Sequence, residues 1–206
     1  MDGEDQNCER ITMDSTMQLD KFCAGYANKL SDLLGSSDWS GVAQLGKDMR
    51  ECWLERRQVF FCGNGGSAGN AIHLANDFLY GIAKRTGAGL KVQALSANPA
   101  VMTCLGNDVG YDYIFSEQLA VLAEAGDLLV VLSGSGNSPN ILRVLEQASS
   151  MGVKSCAILG YSGGKCKSLA DLSIHFPIDD MQLAEDMQLV VGHMLMKWLH
   201  QNRPDV

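Results

Sequence analysis

The chain has only four histidines, so their neighbours are informative. His73 and Asp77 stand four residues apart in a helical stretch, which puts an imidazole and a carboxylate on one face. Asn70 lies on the same stripe. Glu185 and His193, eight apart near the C-terminus, also share a face, with Leu189 between them. Two helices can therefore each offer one carboxylate and one imidazole to a common cleft. Such a set can hold a divalent metal, with zinc the first choice. It can equally supply an acid and a base for proton transfer at a sugar carbonyl. The plainer alternative has equal weight at this point: His193 as a hydrogen-bonded core residue among Val190, Val191, Met194 and Leu195, and Asp77 as a surface acid. His175 and His200 read as structural or solvent-exposed.

Two loops rich in glycine and serine carry the second signal. Gly63-Asn64-Gly65-Gly66-Ser67 follows an apolar run and opens a helix, where glycine allows close approach and free N–H groups face an anion. It is not a dinucleotide fingerprint: position 68 is alanine where the pattern needs glycine, and Leu90–Ser96 carries no ribose-binding acid. No Walker sequence is present. The second loop, Ser133-Gly134-Ser135-Gly136-Asn137-Ser138, sets three hydroxyls beside a helix start, which suits a phosphate monoester better than a diphosphate. The competing reading is a tight turn with Ser138 as helix cap.

These loops need elements to hold them. Apolar residues recur at helical spacing from Thr16 to about Leu34, and again to about Glu55 after a break at Gly35-Ser-Ser-Asp38, with Asp38 or Ser40 as cap. An opening helix pair is predicted. The period then changes. Short apolar runs at 58–62, 90–96, 126–132, 153–159 and 172–176 read as strands. Helices are predicted at about 67–81, from Asn98-Pro99 to about 106–108, 114–125, 139–151, 165–170 and 181–200. Strands that are apolar throughout and alternate with helices specify an α/β fold, a five-stranded parallel sheet covered on both faces in three layers. In such a sheet ligands bind beyond the C-terminal strand ends, where both glycine-serine loops fall.

A chain of 206 residues with 46% apolar content is large enough for a single core without staples. We expect a polar, flexible tail at 1–14 and one domain from 15 to 206 that includes the helix pair. Sixteen basic against 24 acidic residues give a net charge of −8, which argues against nucleic-acid wrapping but leaves room for a small phosphorylated ligand. Seven cysteines without a CxxC pair read as free thiols in a reducing compartment. The acidic N-terminus lacks a signal-peptide pattern and no apolar run reaches membrane-spanning length, so a soluble cytoplasmic protein without membrane or nucleic-acid partners is expected.

The segments CGNGGSAGNAIHLANDF (62–78), GND (106–108) and GDLLVVLSGSGNS (126–138), with the late Glu-to-His helix, resemble the sugar-isomerase, or SIS, domain family. Within it they are similar to the bacterial phosphoheptose isomerases. The resemblance covers nearly the whole chain. It implies a flavodoxin-like sandwich, a homotetramer with sites between subunits, and one zinc ion per subunit. The implied reaction interconverts sedoheptulose 7-phosphate and D-glycero-D-manno-heptose 7-phosphate, a step toward the heptose of lipopolysaccharide. It places metal ligands at His73, Asp77, Glu185 and His193. Phosphate and substrate contacts fall on Asn64, Gly65, Gly66, Ser67, Asn98, Asp108, Ser133, Gly134, Ser135, Asn137 and Ser138. Catalysis falls to Asp77, Glu185 and His193: one carboxylate takes the C–H proton to give an enediol, and His193 relays the hydroxyl proton.

The chain departs from that family's pattern at several positions. Position 77 is usually glutamate, 185 glutamine, 134 threonine and 98 aspartate. An arginine expected at 81 is glycine here, with Lys84 and Arg85 as substitutes. These departures keep open a non-catalytic member that binds a phosphosugar or a protein partner, or an isomerase of a related sugar phosphate.

Overall fold

The computed structural model describes residues 4–84 and 87–204, with side chains from Met17 onward; the Cys8 side chain and Arg85 lie outside what is described. The chain divides into two compact units with the boundary after Asp38. The first holds a single helix, α1 (Glu4–Ser36). It starts well before the predicted Thr16, so a helix covers most of the stretch read as a polar tail. The expected opening helix pair is split between the units: α2 (Ser40–Leu54) belongs to the second. Trp39 stands at its N-cap position and no side chain caps it there.

The second unit carries the sheet: β1 (Gln58–Gly63), β2 (Lys91–Ala94), β3 (Leu128–Ser133), β4 (Lys154–Leu159) and β5 (Leu172–His175). All neighbours pair in parallel, in the order β2-β1-β3-β4-β5. This is the flavodoxin-like order, with its switch point between β1 and β3. The strands have the composition a doubly covered sheet demands: every residue of β3 is buried, as is all of β1 except Gln58. The covering helices are α2, α3 (Gly66–Leu79), α4 (Pro99–Asp108), α5 (Ser116–Leu122), α6 (Pro139–Met151), α7 (Cys166–Leu169) and α8 (Met181–Gln201). The predicted helix 114–125 is shorter at both ends, because Tyr111–Tyr113 forms a separate turn and the chain is already extended at Ala123.

One face of the sheet is filled by Phe60, Leu129, Val131, Ile141, Leu145 and their neighbours. On the other, Phe61 stacks on Phe78 of α3, with ring centroids 5.7 Å apart. Pro99 and Pro139 each open a helix, where a missing N–H costs nothing. Helices α3 and α8 pack together, and their contacts climb in step. Gly66 faces Glu185, Leu74 faces Gly192 and Gly81 faces Met196. The two helices therefore run in the same direction, and their shared seam positions the site.

Candidate active site

The register Gly63–Leu132 between β1 and β3 brings both glycine-serine loops to the same end of the sheet, at the switch point. Together they line a pocket of about 240 Å³ with Asn64, Gly65, Gly66, Ser67, Ser133, Gly134, Ser135 and Ser138. Gly65 takes a φ of +54° at the N-cap of α3, a backbone conformation that few side chains tolerate. The first N–H groups of α3 are thus left without a capping side chain. Ser133 is buried and its Oγ accepts from the Gly136 N–H at 3.1 Å, which folds the second loop. Ser135 Oγ accepts from the Asn137 N–H at 3.3 Å. Ser138 stands at the N-cap of α6, yet its side chain makes no cap hydrogen bond and faces the pocket.

Several predicted contact residues make hydrogen bonds within the chain. Asn137 Oδ1 accepts from the Lys165 N–H, tying the second loop to the loop after β4. Asn98 Oδ1 caps α4, accepting from the N–H groups of Ala100 and Val101 at 3.1 and 3.3 Å. Asp108 is exposed and bonds with Asn107 and Cys104. Neither Asn98 nor Asp108 lines the pocket. Gly134, where threonine is expected, lies against Met181. A Cβ there would lie 2.6 Å from Met181 Sδ, so methionine fills the place a threonine would take.

Sequence reasoning missed Asn140 and Gln188. Asn140 is 1% exposed and exchanges two amide hydrogen bonds with Asn64, at 2.8 and 2.9 Å, so it fixes the first loop from below. Gln188, also 1% exposed, bonds to Ser67 Oγ and Asn70 at 3.0 Å each. Asn70 in turn donates to the Glu185 carbonyl at 3.1 Å. This buried chain of amides locks α3 to α8. The available signal was an amide one turn beyond Glu185 on an otherwise apolar face.

Two turns along α3, the seam opens to solvent. His73 and His193 bring their Nε2 atoms to 3.0 Å, with the rings edge to face. Asp77 Oδ2 lies 3.6 Å from His73 Nε2 and 3.7 Å from His193 Nε2. The histidine side chains are half-exposed and the Asp77 side chain is largely covered. His193 is thus no core residue, and Asp77 is no free surface acid. Three ligand atoms within 4.8 Å of one another form a candidate metal site. Their separations of 3.0, 3.6 and 3.7 Å bracket the spacing of some 3.3–3.6 Å that zinc's bonds of about 2.0–2.2 Å to nitrogen and oxygen set between tetrahedral ligands, so the two imidazoles would have to part slightly to hold it. The donor set of two imidazoles and a carboxylate fits that metal and leaves a fourth position open.

Glu185 is not part of this cluster. Its carboxylate sits against Gly66 at the start of α3 and lines the glycine-serine pocket; any Cβ at Gly66 would overlap both of its oxygens. His175 Nε2 donates to the Tyr161 carbonyl and its Nδ1 accepts from Lys167, and His200 Nδ1 donates to the Ile82 carbonyl, so both are structural as expected. The six described cysteines are free; burial pushes the Cys52 thiol up to about 12 and Cys166 up to about 11.

Residues 21–160 match the model of the SIS domain family. A phosphoheptose isomerase of Akkermansia muciniphila is 41% identical over 154 residues, which are 75% of this chain and 81% of that protein. One from Rhodospirillum rubrum is 43% identical over 138 residues, 67% and 73% of the respective chains. The structure of a phosphoheptose isomerase from Francisella tularensis superposes with a TM-score of 0.84 at 27% identity, covering 91% of this chain and 98% of that one.

Proposed function

This chain belongs to the SIS domain family, and from that premise we propose that it is an aldose–ketose isomerase acting on sedoheptulose 7-phosphate. The product is D-glycero-D-manno-heptose 7-phosphate. The observation that carries the reading is the convergence of His73, Asp77 and His193 on one point, two helical turns from a glycine-serine cradle. His73 stands seven positions along α3 from Gly66, a rise of about 10 Å, which suits an open heptose chain with phosphate at one end and carbonyl at the other.

The cradle holds the phosphate through backbone N–H groups and the hydroxyls of Ser67, Ser133, Ser135 and Ser138. His73, Asp77 and His193 would hold a zinc ion, which when bound polarises a carbonyl and acidifies the neighbouring C–H. Asp77 is the carboxylate at the reacting end and takes that C–H proton; His193, in reach of the same point, carries the hydroxyl proton between the two oxygens when its Nε2 is not turned to the ion. The Asn70–Gln188–Ser67 chain keeps the two ends of the site at a fixed spacing.

The same reading makes the protein a cytoplasmic homotetramer with sites between subunits, supplying a precursor for lipopolysaccharide heptose. Two surfaces support assembly. Helix α1 exposes Met17, Leu19 and Phe22, and an apolar groove between α2 and α8 is lined by Trp39, Val42, Met194 and Trp198. No helix among the described residues is long and apolar enough to cross a membrane.

The test is proton exchange on sedoheptulose 7-phosphate in deuterated water, followed by NMR with and without zinc. Zinc-dependent loss of the C–H signal is expected. Saturable binding without exchange, for this and related sugar phosphates, would move the protein to the non-catalytic members of the family.

A further inference from the structure

The phosphate cradle has an unusual electrostatic composition. Its lining contains no Lys or Arg, and its one charged residue among those described is an acid, Glu185. Attraction for a phosphate therefore comes only from N–H groups, hydroxyls and the start of α3. The Glu185 carboxylate stands at that start, over Gly66, in space that any side chain at position 66 would fill. It is anchored on the rigid seam: the Glu185 carbonyl accepts from Asn70, and α8 is fixed to α3 through Gln188. The backbone under the carboxylate is thus held in place, while the side chain is only half-buried.

We infer that Glu185 determines the affinity of this site for phosphorylated ligands, because its carboxylate and a substrate phosphate compete for the same start of α3. A dianion and a carboxylate a few ångströms apart repel, and the donors that favour one are taken from the other. Phosphate enters only as Glu185 turns away from Gly66. A residue of the same shape without the charge would leave the cradle open to phosphate. The inference rests on the reading of the cradle as the phosphate site, and concerns what sets its strength.

The experiment is calorimetric titration of inorganic phosphate into metal-free protein, comparing the unaltered chain with Glu185→Gln and Glu185→Ala. Both variants are expected to bind phosphate about tenfold more tightly, a difference of about 1.4 kcal/mol. Neutral sedoheptulose, which brings no charge to the cradle, should bind all three proteins alike; a change in general packing would move both ligands. Equal phosphate affinity in all three proteins, with weaker binding in Ser138→Ala, would overturn the competition and leave the cradle standing. No saturable phosphate binding by any of them would overturn the cradle itself, and the inference with it.

Discussion

The cradle and the imidazole–carboxylate cluster share helix α3 and are built on opposite terms. The donors of the cradle are backbone N–H groups and neutral hydroxyls, with Glu185 its one charged side chain among those described, and its loops are held from within: Asn64 by Asn140, Ser133 by the Gly136 N–H, Ser67 by Gln188. The cluster is made of ionisable side chains at the surface, and only the α3–α8 seam holds them together. A phosphate needs a preformed set of dipoles, whereas a metal or a moving proton needs groups whose charge can change. The difference shows what each region depends on. The cradle depends on strand register and loop turns, the cluster on the relative placement of two helices.

The sharpest separation of the two comes from His193→Ala. Turnover should fall by about 10²- to 10⁴-fold, the range for a lost proton-transfer group, while inorganic phosphate binds as before. Weakened phosphate binding would show that the regions are not independent. Ser138→Ala runs the other way. Its hydroxyl makes no cap hydrogen bond, so KM should rise about tenfold through one lost charge-assisted bond, with kcat and melting temperature unchanged. Gln188→Leu breaks the tie between them. It leaves Ser67 Oγ and Asn70 without their buried partner and should cost about 1–3 kcal/mol in denaturant unfolding, with zinc affinity and phosphate affinity both reduced.

The smallest effect sets both regions against the core beneath them. Cys52 has its pKa raised from 9.0 to about 12, first by burial and then by Asp127, Asp48 and Glu51. A raised folded value stabilises the native state below the unfolded pKa, and that contribution is lost as pH rises through the folded one. Stability should therefore decline between about pH 9 and 12. Cys52→Ala should flatten part of that decline. At neutral pH, Cys23 and Cys104 should react with a thiol reagent in the native protein before the buried thiols do.

Much of this architecture was legible in the residues. Short apolar runs such as Leu128–Leu132, bounded by turn residues, read as doubly covered strands, and Pro99 and Pro139 mark helix starts. The i, i+4 spacing of His73 and Asp77 fixed their shared face, and eight residues between Glu185 and His193 put those on one side of α8. What spacing could not give was rotamer and partner. Glu185 and His193 share a face, yet the glycine at 66 opens a place for the Glu185 carboxylate away from the histidines. Asn98 and Asp108 lie near the right loops in sequence, but local hydrogen bonds to Ala100, Val101 and Asn107 use their oxygens. Gln188 left only the faint signal of a lone amide on an apolar helix face and Asn140 none, because their partners come from far along the chain. The extent of α1 was missed because the acidic residues before Thr16 hide its start.

On the proposed function, Asp77 in the cluster is the base and Glu185 in the cradle is not. Hydrogen–deuterium exchange at the carbon next to the carbonyl of sedoheptulose 7-phosphate, measured by NMR on zinc-loaded Asp77→Asn and Glu185→Gln, tests it directly. Exchange is expected to fall by about 10²- to 10⁴-fold in Asp77→Asn and to persist in Glu185→Gln. Near-normal exchange in Asp77→Asn, with loss in Glu185→Gln, would contradict it.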